Sequence, residues 1–157
     1  MSRKPETTFR LSVERHLPPI RALYRMKNSS LYTAGVADSW YSADRQDLWV
    51  EWKYLILPKR LTTEVLANVS PLQSEWLTLR YNEGRNVAVI LGCPDGGVVY
   101  KDLSWGVPLT CGEYRARLQT RKQLANWLEG EVCLGSTGSR EEQQRRLTFI
   151  GSCSRGS

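Results

Sequence analysis

The chain has 157 residues, which suits one compact domain and leaves two cramped. Apolar residues make up 41% and aromatics 10%, enough for a core, so a mainly disordered chain is excluded. Lys and Arg number 22 against 16 Asp and Glu, a net charge of +6 that fits a polyanionic partner, and no apolar run approaches the roughly 20 residues of a membrane helix.

Taken in order, residues 6–25 predict a helix, with Phe9, Val13, Leu17, Ile20 and Leu23 at three- and four-residue spacing. Pro18 and Pro19 predict a break near Leu17, and Arg10, Arg15, Arg21, Arg25 and Lys27 give a basic flank. His16, the one histidine, is expected on the helix surface or at its end. After the glycine turn at Gly35 comes a short strand through Trp40 and Tyr41. A polar turn follows, and then Asp47 to Ile56, whose aromatic and β-branched content predicts the second strand of a hairpin.

Residues 58–70 predict a loop. Ser70 and Pro71 open a helix as N-cap and first helical residue, with Leu72, Trp76 and Leu79, and Leu77 beside them, as its apolar face; Glu83-Gly84 ends it. Asn86 to Leu91 reads as a buried strand, and Asp95-Gly96-Gly97 as a hairpin turn into Val98-Val99-Tyr100. The stretch Gly92 to Gly97 lacks the Gly-Lys-Ser/Thr of a phosphate loop. A second helix is expected over 112–129, with Tyr114, Leu118, Leu124 and Trp127 inside and Gly130 closing it. Residues 1–134 are thus expected to form one domain ending in a helix, and 135–157 a flexible polar tail.

The four cysteines, Cys93, Cys111, Cys133 and Cys153, contain no CxxC pair. With the charged start of the chain, they predict reduced thiols in a cytoplasm rather than a zinc site or a disulfide framework.

The chemistry is concentrated on the second hairpin strand. Glu51 and Lys53 are two apart and share a face, while Val50, Trp52 and Tyr54 point to the other. The hairpin brings Asp38 back towards Glu51. Two carboxylates and an amine at one place suit phosphodiester hydrolysis: Asp38, Glu51 and the Trp52 carbonyl as oxygen ligands of Mg²⁺, with Mn²⁺ as substitute, and Lys53 beside the nucleophile or the phosphorus. A bare Glu-x-Lys is more often a solvated strand face; the ordered combination with Asp38 argues against that. Lys59, Arg60, Arg10, Arg115, Arg121 and Lys122 are the candidate phosphate contacts. Trp40 and Trp49 read as packing residues rather than as base-stacking ones.

The ordered segments Gly35-Val36-Ala37-Asp38, Asp47-Leu48-Trp49-Val50-Glu51-Trp52-Lys53, Ser70-Pro71-Leu72-Gln73-Ser74-Glu75-Trp76-Leu77 and Gly84-Arg85-Asn86-Val87-Ala88-Val89-Ile90 carry a resemblance. They look like the VRR-NUC branch of the PD-(D/E)xK nuclease superfamily, in particular its small phage and prophage members, over roughly residues 5–100. The resemblance implies an α/β fold with a restriction-endonuclease-like core, a mixed sheet flanked by helices in αβββαβ order. It implies metal binding by Asp38 and Glu51, a catalytic Lys53, and Gln73 beside the site. Glu6 matches the acid of the first helix, with Glu14 as its rival. It further implies DNA, including four-way junctions, flaps or other branched forms, as substrate, a homodimer, and action in the host-cell cytoplasm if the chain is phage-encoded. Ala37 stands where the motif has proline, a backbone device rather than a ligand. The alternative is a catalytically inactive nuclease-fold protein that binds nucleic acid or a host protein. A third is a subunit of a larger assembly that docks through residues 105–157.

Overall fold

The computed structural model describes residues 3–19, 23–28 and 35–134. The tail expected over 135–157 lies outside the described residues. The elements run α1 (Pro5–Glu14), β1 (Tyr24–Lys27), β2 (Ser39–Ser42), β3 (Asp47–Tyr54), β4 (Glu64–Val65), α2 (Pro71–Asn82), β5 (Val87–Cys93), β6 (Gly96–Tyr100), a 3-10 turn (Ser104–Gly106), β7 (Leu109–Thr110), α3 (Cys111–Ala116) and α4 (Arg121–Val132).

Five strands form one mixed sheet in the order β1-β2-β3-β5-β6, and β4 and β7 pair separately. The β1–β2, β2–β3 and β5–β6 pairs are antiparallel. The β3–β5 pair is parallel, so α2 serves as its crossover helix. The core is therefore the α/β arrangement in αβββαβ order that the resemblance implies, with α3 and α4 added after it.

Strand alternation separates two apolar layers. Leu48, Val50 and Trp52 of β3 join Ala88 and Ile90 of β5 beneath α1 and α4, against Phe9, Val13, Leu124 and Leu128. Val87, Val89 and Leu91 form the opposite layer with Leu77 of α2 and with Val65, Leu109 and Tyr114 of the smaller lobe. Each such side chain, fully buried, contributes about 1.5–3 kcal/mol. Trp52 meets the Phe9 ring edge-on at 6.0 Å, and a Cβ at Gly92 would overlap that ring, so the glycine lets α1 seat on the sheet.

Several expectations need correction. The helix expected to Arg25 stops at Glu14, and Tyr24–Lys27 is a strand. The prolines end the helical path, and β1 gains its hydrogen bonds from β2, a partner 15 or so residues away that helical periodicity cannot register. The helix expected over 112–129 is two helices. Gln119 exchanges both backbone hydrogen bonds with Gly97 (2.9 Å each), and Thr120 then starts α4 with a new capping box. Gly130 consequently lies inside α4 rather than closing it.

On α2, Leu77 is fully buried and Trp76 partly so, whereas Leu72 and Leu79 are exposed (58% and 50%). The β2–β3 hairpin, the start of α2 at Ser70-Pro71 and the β5–β6 hairpin stand where the sequence puts them. His16 is exposed just past the end of α1. Among the described residues no helix is long and apolar enough to cross a membrane.

Candidate active site

The period-two pattern of β3 places Glu51 and Lys53 beneath the N-terminus of α2, on the face opposite α1. Glu51 is buried (1% exposed), and its Oε1 accepts from Lys53 Nζ at 3.1 Å and Gln73 Nε2 at 2.5 Å. Lys53 Nζ also donates to Gln73 Oε1 at 2.9 Å. The three side chains thus form a closed triangle.

Gln73 is held for this task by its own helix. Ser70 Oγ accepts from the Gln73 backbone N–H, and the Ser70 backbone N–H donates to Gln73 Oε1 at 3.0 Å, a capping box. One glutamine therefore caps α2 and clamps both active-face residues of β3. Gly35 approaches the same end of α2: with φ +88° it needs no Cβ, which would stand 2.8 Å from the Leu72 carbonyl oxygen.

Asp38 immediately precedes β2, where the register pairs Ser39 with Val50, so the next step puts Asp38 opposite Glu51. Its Oδ2 accepts from the Trp52 backbone N–H at 3.2 Å. In an extended strand a residue's N–H and C=O face the same edge, so the Trp52 carbonyl is directed to that side as well. Ala37, in the place of the motif proline, is buried.

Glu51 Oε2 is buried and, among the described residues, meets no side-chain donor, although the Asp38 backbone N–H lies close enough to the carboxyl to pull its pKa down. Burial, and next the negative charge of Asp38, push the Glu51 carboxyl up to about 7, against the pull of Lys53 in the other direction. A buried carboxylate oxygen without a donor is costly unless a proton or a cation meets it.

The first-helix acids stand elsewhere. Glu14 is buried with both oxygens engaged: Arg10 Nη1 donates to Oε1 at 2.8 Å and to Oε2 at 2.9 Å, and Tyr41 OH donates to Oε1 at 2.8 Å. This cluster belongs to the α1 face of the sheet. Glu6 is half-buried in the first turn of α1. The structure brings neither to the Asp38–Glu51 pair, and among the described residues no three His, Cys, Asp or Glu side chains form a metal-holding group.

The basic residues divide. Lys59, Arg60, Arg115 and Lys122 are exposed. The loop carrying Lys59 and Arg60 is pinned to the start of α3, where Cys111 N donates to Thr63 O and Gly112 N to Leu61 O. Arg10 is not on an open basic flank; it is buried on Glu14. Arg121 is half-buried and engaged by the protein, donating to Ser12 Oγ (2.9 Å) and Pro94 O (3.1 Å) and lying 5.3 Å from the Phe9 ring centroid.

The capping box was visible in Ser70-Pro71-Leu72-Gln73, but the triple use of Gln73 was not. A chain of aromatic contacts from Tyr24 to Trp76 was also missed, because it depends on strand order.

Fold and site together define an α/β protein whose mixed sheet carries an acid–lysine pair, a second carboxylate and a helix-borne glutamine on one face. No protein-family model matches the chain, and no curated protein matches it. Among solved structures it is similar to Hjc of Archaeoglobus fulgidus, a Holliday junction resolvase from an archaeal hyperthermophile, at 14% identity over 78% of this chain and 98% of that chain, with a TM-score of 0.47.

Proposed function

We propose that the chain is a metal-dependent endonuclease that hydrolyses DNA phosphodiester bonds, selective for branched structures such as four-way junctions or flaps. One observation carries this reading: the buried Glu51 carboxylate is tied through Oε1 to Lys53 and Gln73, while its Oε2, on the same sheet face as Asp38, meets no side-chain donor among the described residues. A buried carboxylate oxygen in this position is stabilised by a proton or a cation.

The residues present fit a hard divalent cation. Asp38, Glu51 and the Trp52 carbonyl would hold Mg²⁺, or Mn²⁺ in its place, and this ion keeps several waters, so a small donor set is enough. When bound, it supplies positive charge against the scissile phosphate and lowers the pKa of a water. Lys53 then has two uses, orienting the attacking water and stabilising the negative charge that builds on the phosphoryl oxygens as one P–O bond forms and another breaks. Gln73 holds Lys53 and Glu51 in register for this. Lys59, Arg60, Arg115 and Lys122 would take the flanking phosphates.

The VRR-NUC relationship, the phage or prophage setting, the choice of DNA and of branched forms, the homodimer and a cytoplasmic place of action belong to this proposal and rest on the sequence resemblance.

The test is an incubation of the purified chain with labelled linear, splayed, flap and four-way DNA in Mg²⁺ or Mn²⁺, and with RNA of the same shapes. Wild type is expected to cut a branched DNA form best. Lys53→Ala is expected to lose at least about 100-fold in rate with DNA binding retained. A well-folded wild type that cuts none of these substrates overturns the proposal.

A further inference from the structure

A row of aromatic side chains crosses the sheet beside the acid–lysine set and takes no part in it. Tyr24 meets Trp40 (ring centroids 5.4 Å apart), Trp40 meets Trp49 (6.3 Å), and Trp49 meets Trp76 of α2 (5.5 Å). The Arg80 guanidinium, one helical turn from Trp76, lies 5.8 Å from the Trp76 ring centroid and closes the row; it also pairs with Glu83 at 3.1 Å. The register produces this alignment, with Trp40 opposite Trp49 and Met26 opposite Trp40.

The row is not interior. Tyr24 and Met26 are half exposed, and Trp40, Trp49 and Trp76 are each partly exposed. Trp49 and Trp76 pack inward against the core, while the outer edges of the row, with Tyr24 and Met26 half exposed, leave apolar ring surface open to a ligand.

The placement discriminates between occupants. Trp49 precedes Glu51 by two residues and Trp40 follows Asp38 by two, so rings and carboxylates share one face about 7 Å apart along the strands. A second copy of the chain seated on the rings would bury about 800 Å² on each side and would cover the acid–lysine set as well. A line of ring edges that runs to the Arg80 guanidinium, itself paired with Glu83, instead matches unpaired bases lying beside the acid–lysine set. Bases inside a duplex already stack on one another and cannot use it.

We infer that Tyr24, Trp40, Trp49 and Trp76, with Arg80 at the end, form a stacking track for unpaired nucleotides of single-stranded DNA lying next to the phosphate that is cut. The inference deepens the proposed nuclease reading and rests on it for the word "cut"; the binding itself is measured without cleavage.

The experiment is fluorescence anisotropy with the full chain, free of divalent metal, on three labelled probes: a short oligothymidine, a sugar–phosphate strand of the same length without bases, and a blunt duplex. Wild type is expected to bind oligothymidine at least about 5-fold more tightly than the abasic strand. Trp40→Ala should weaken oligothymidine binding by about 5- to 150-fold, leave the abasic strand and the duplex unchanged, and be largely rescued by Trp40→Phe.

Equal wild-type affinity for oligothymidine and abasic strand overturns the inference, and this comparison needs no variant to fold. Equal loss on all three probes overturns it too, as does a sedimentation shift from dimer to monomer in Trp40→Ala, which would assign the row to a second copy. A chain that grips oligothymidine through Trp40 but cuts nothing overturns the nuclease reading and keeps the track. A chain that cuts branched DNA but ignores the bases does the reverse.

Discussion

Each face of the sheet buries a glutamate, and the two are treated differently. On the α1 face, Glu14 receives Arg10 on both oxygens and the Tyr41 hydroxyl on one. Burial, then the Glu14 carboxylate, push the Tyr41 hydroxyl well above its usual range, so it stays a donor at any working pH. On the α2 face, Glu51 receives Lys53 and Gln73 on one oxygen only, and among the described residues the other meets no side-chain donor. A closed polar cluster rigidifies the packing it sits in; a cluster left open on one side is less stable alone and is completed by something from outside. The contrast sets a closed ion pair beside a candidate site without reference to any other protein.

The largest test of this contrast is at Glu14. Glu14→Ala leaves the Arg10 charge buried without its carboxylate and should cost about 3–5 kcal/mol of stability, read as the shift in a urea unfolding midpoint. Its effect on cleavage per folded molecule should be small. A neutral or stabilising outcome would erase the distinction between the two faces.

Glu51→Gln should act in the opposite direction. The folded carboxyl titrates near 7 and the unfolded one near 4.5. Between these values the folded state keeps a proton that the unfolded chain has released. The Glu51 contribution to wild-type stability in the absence of divalent metal should therefore be full below about pH 4.5 and be lost as pH rises through 7, about 3 kcal/mol in all. Glu51→Gln should lose that component of the pH dependence, gain stability at pH 8 relative to wild type, and lose cleavage. Wild-type and variant unfolding curves that keep a constant separation from pH 5 to 8 would contradict the assignment.

Gln73→Ala removes the clamp and one side of a capping box, so a loss of about 1–2 kcal/mol is expected, together with a drop in cleavage that Gln73→Glu does not restore. The smallest effects should come from the exposed leucines of the same helix. Leu72→Ala and Leu79→Ala should stay within about 0.5 kcal/mol, while Leu77→Ala should cost about 2–5 kcal/mol; thermal melts of the three variants check this split.

Much of the site could be read in the chain. The two-residue spacing of Glu51 and Lys53 dictates a shared face once β3 is a strand, and the Ser70-to-Gln73 spacing announces the start of α2. The hairpin return of Asp38 follows from the polar turn between two apolar segments. The errors have a common cause. Tyr24–Lys27 has helical periodicity behind it but a strand partner beside it, and residues 112–129 look continuous until Gln119 is paired with Gly97. Leu72 and Leu79 fit an apolar stripe, yet the lower face of α2 is occupied by Leu77 and by the clamp at Gln73.

The sequence by itself determined the strand that carries Glu51 and Lys53, the hairpin before it and the capped helix that follows, because these depend on period, turn residues and capping over a few neighbouring positions, while the αβββαβ order was what the resemblance implied. Tertiary structure alone decided which glutamate is closed and which is open, that Arg10 is buried and Arg121 engaged by Ser12 and Pro94, and that Tyr24, Trp40, Trp49 and Trp76 line up beside the acids. Those outcomes depend on strand order, register and the face each helix covers, which are set by contacts between residues distant in the chain.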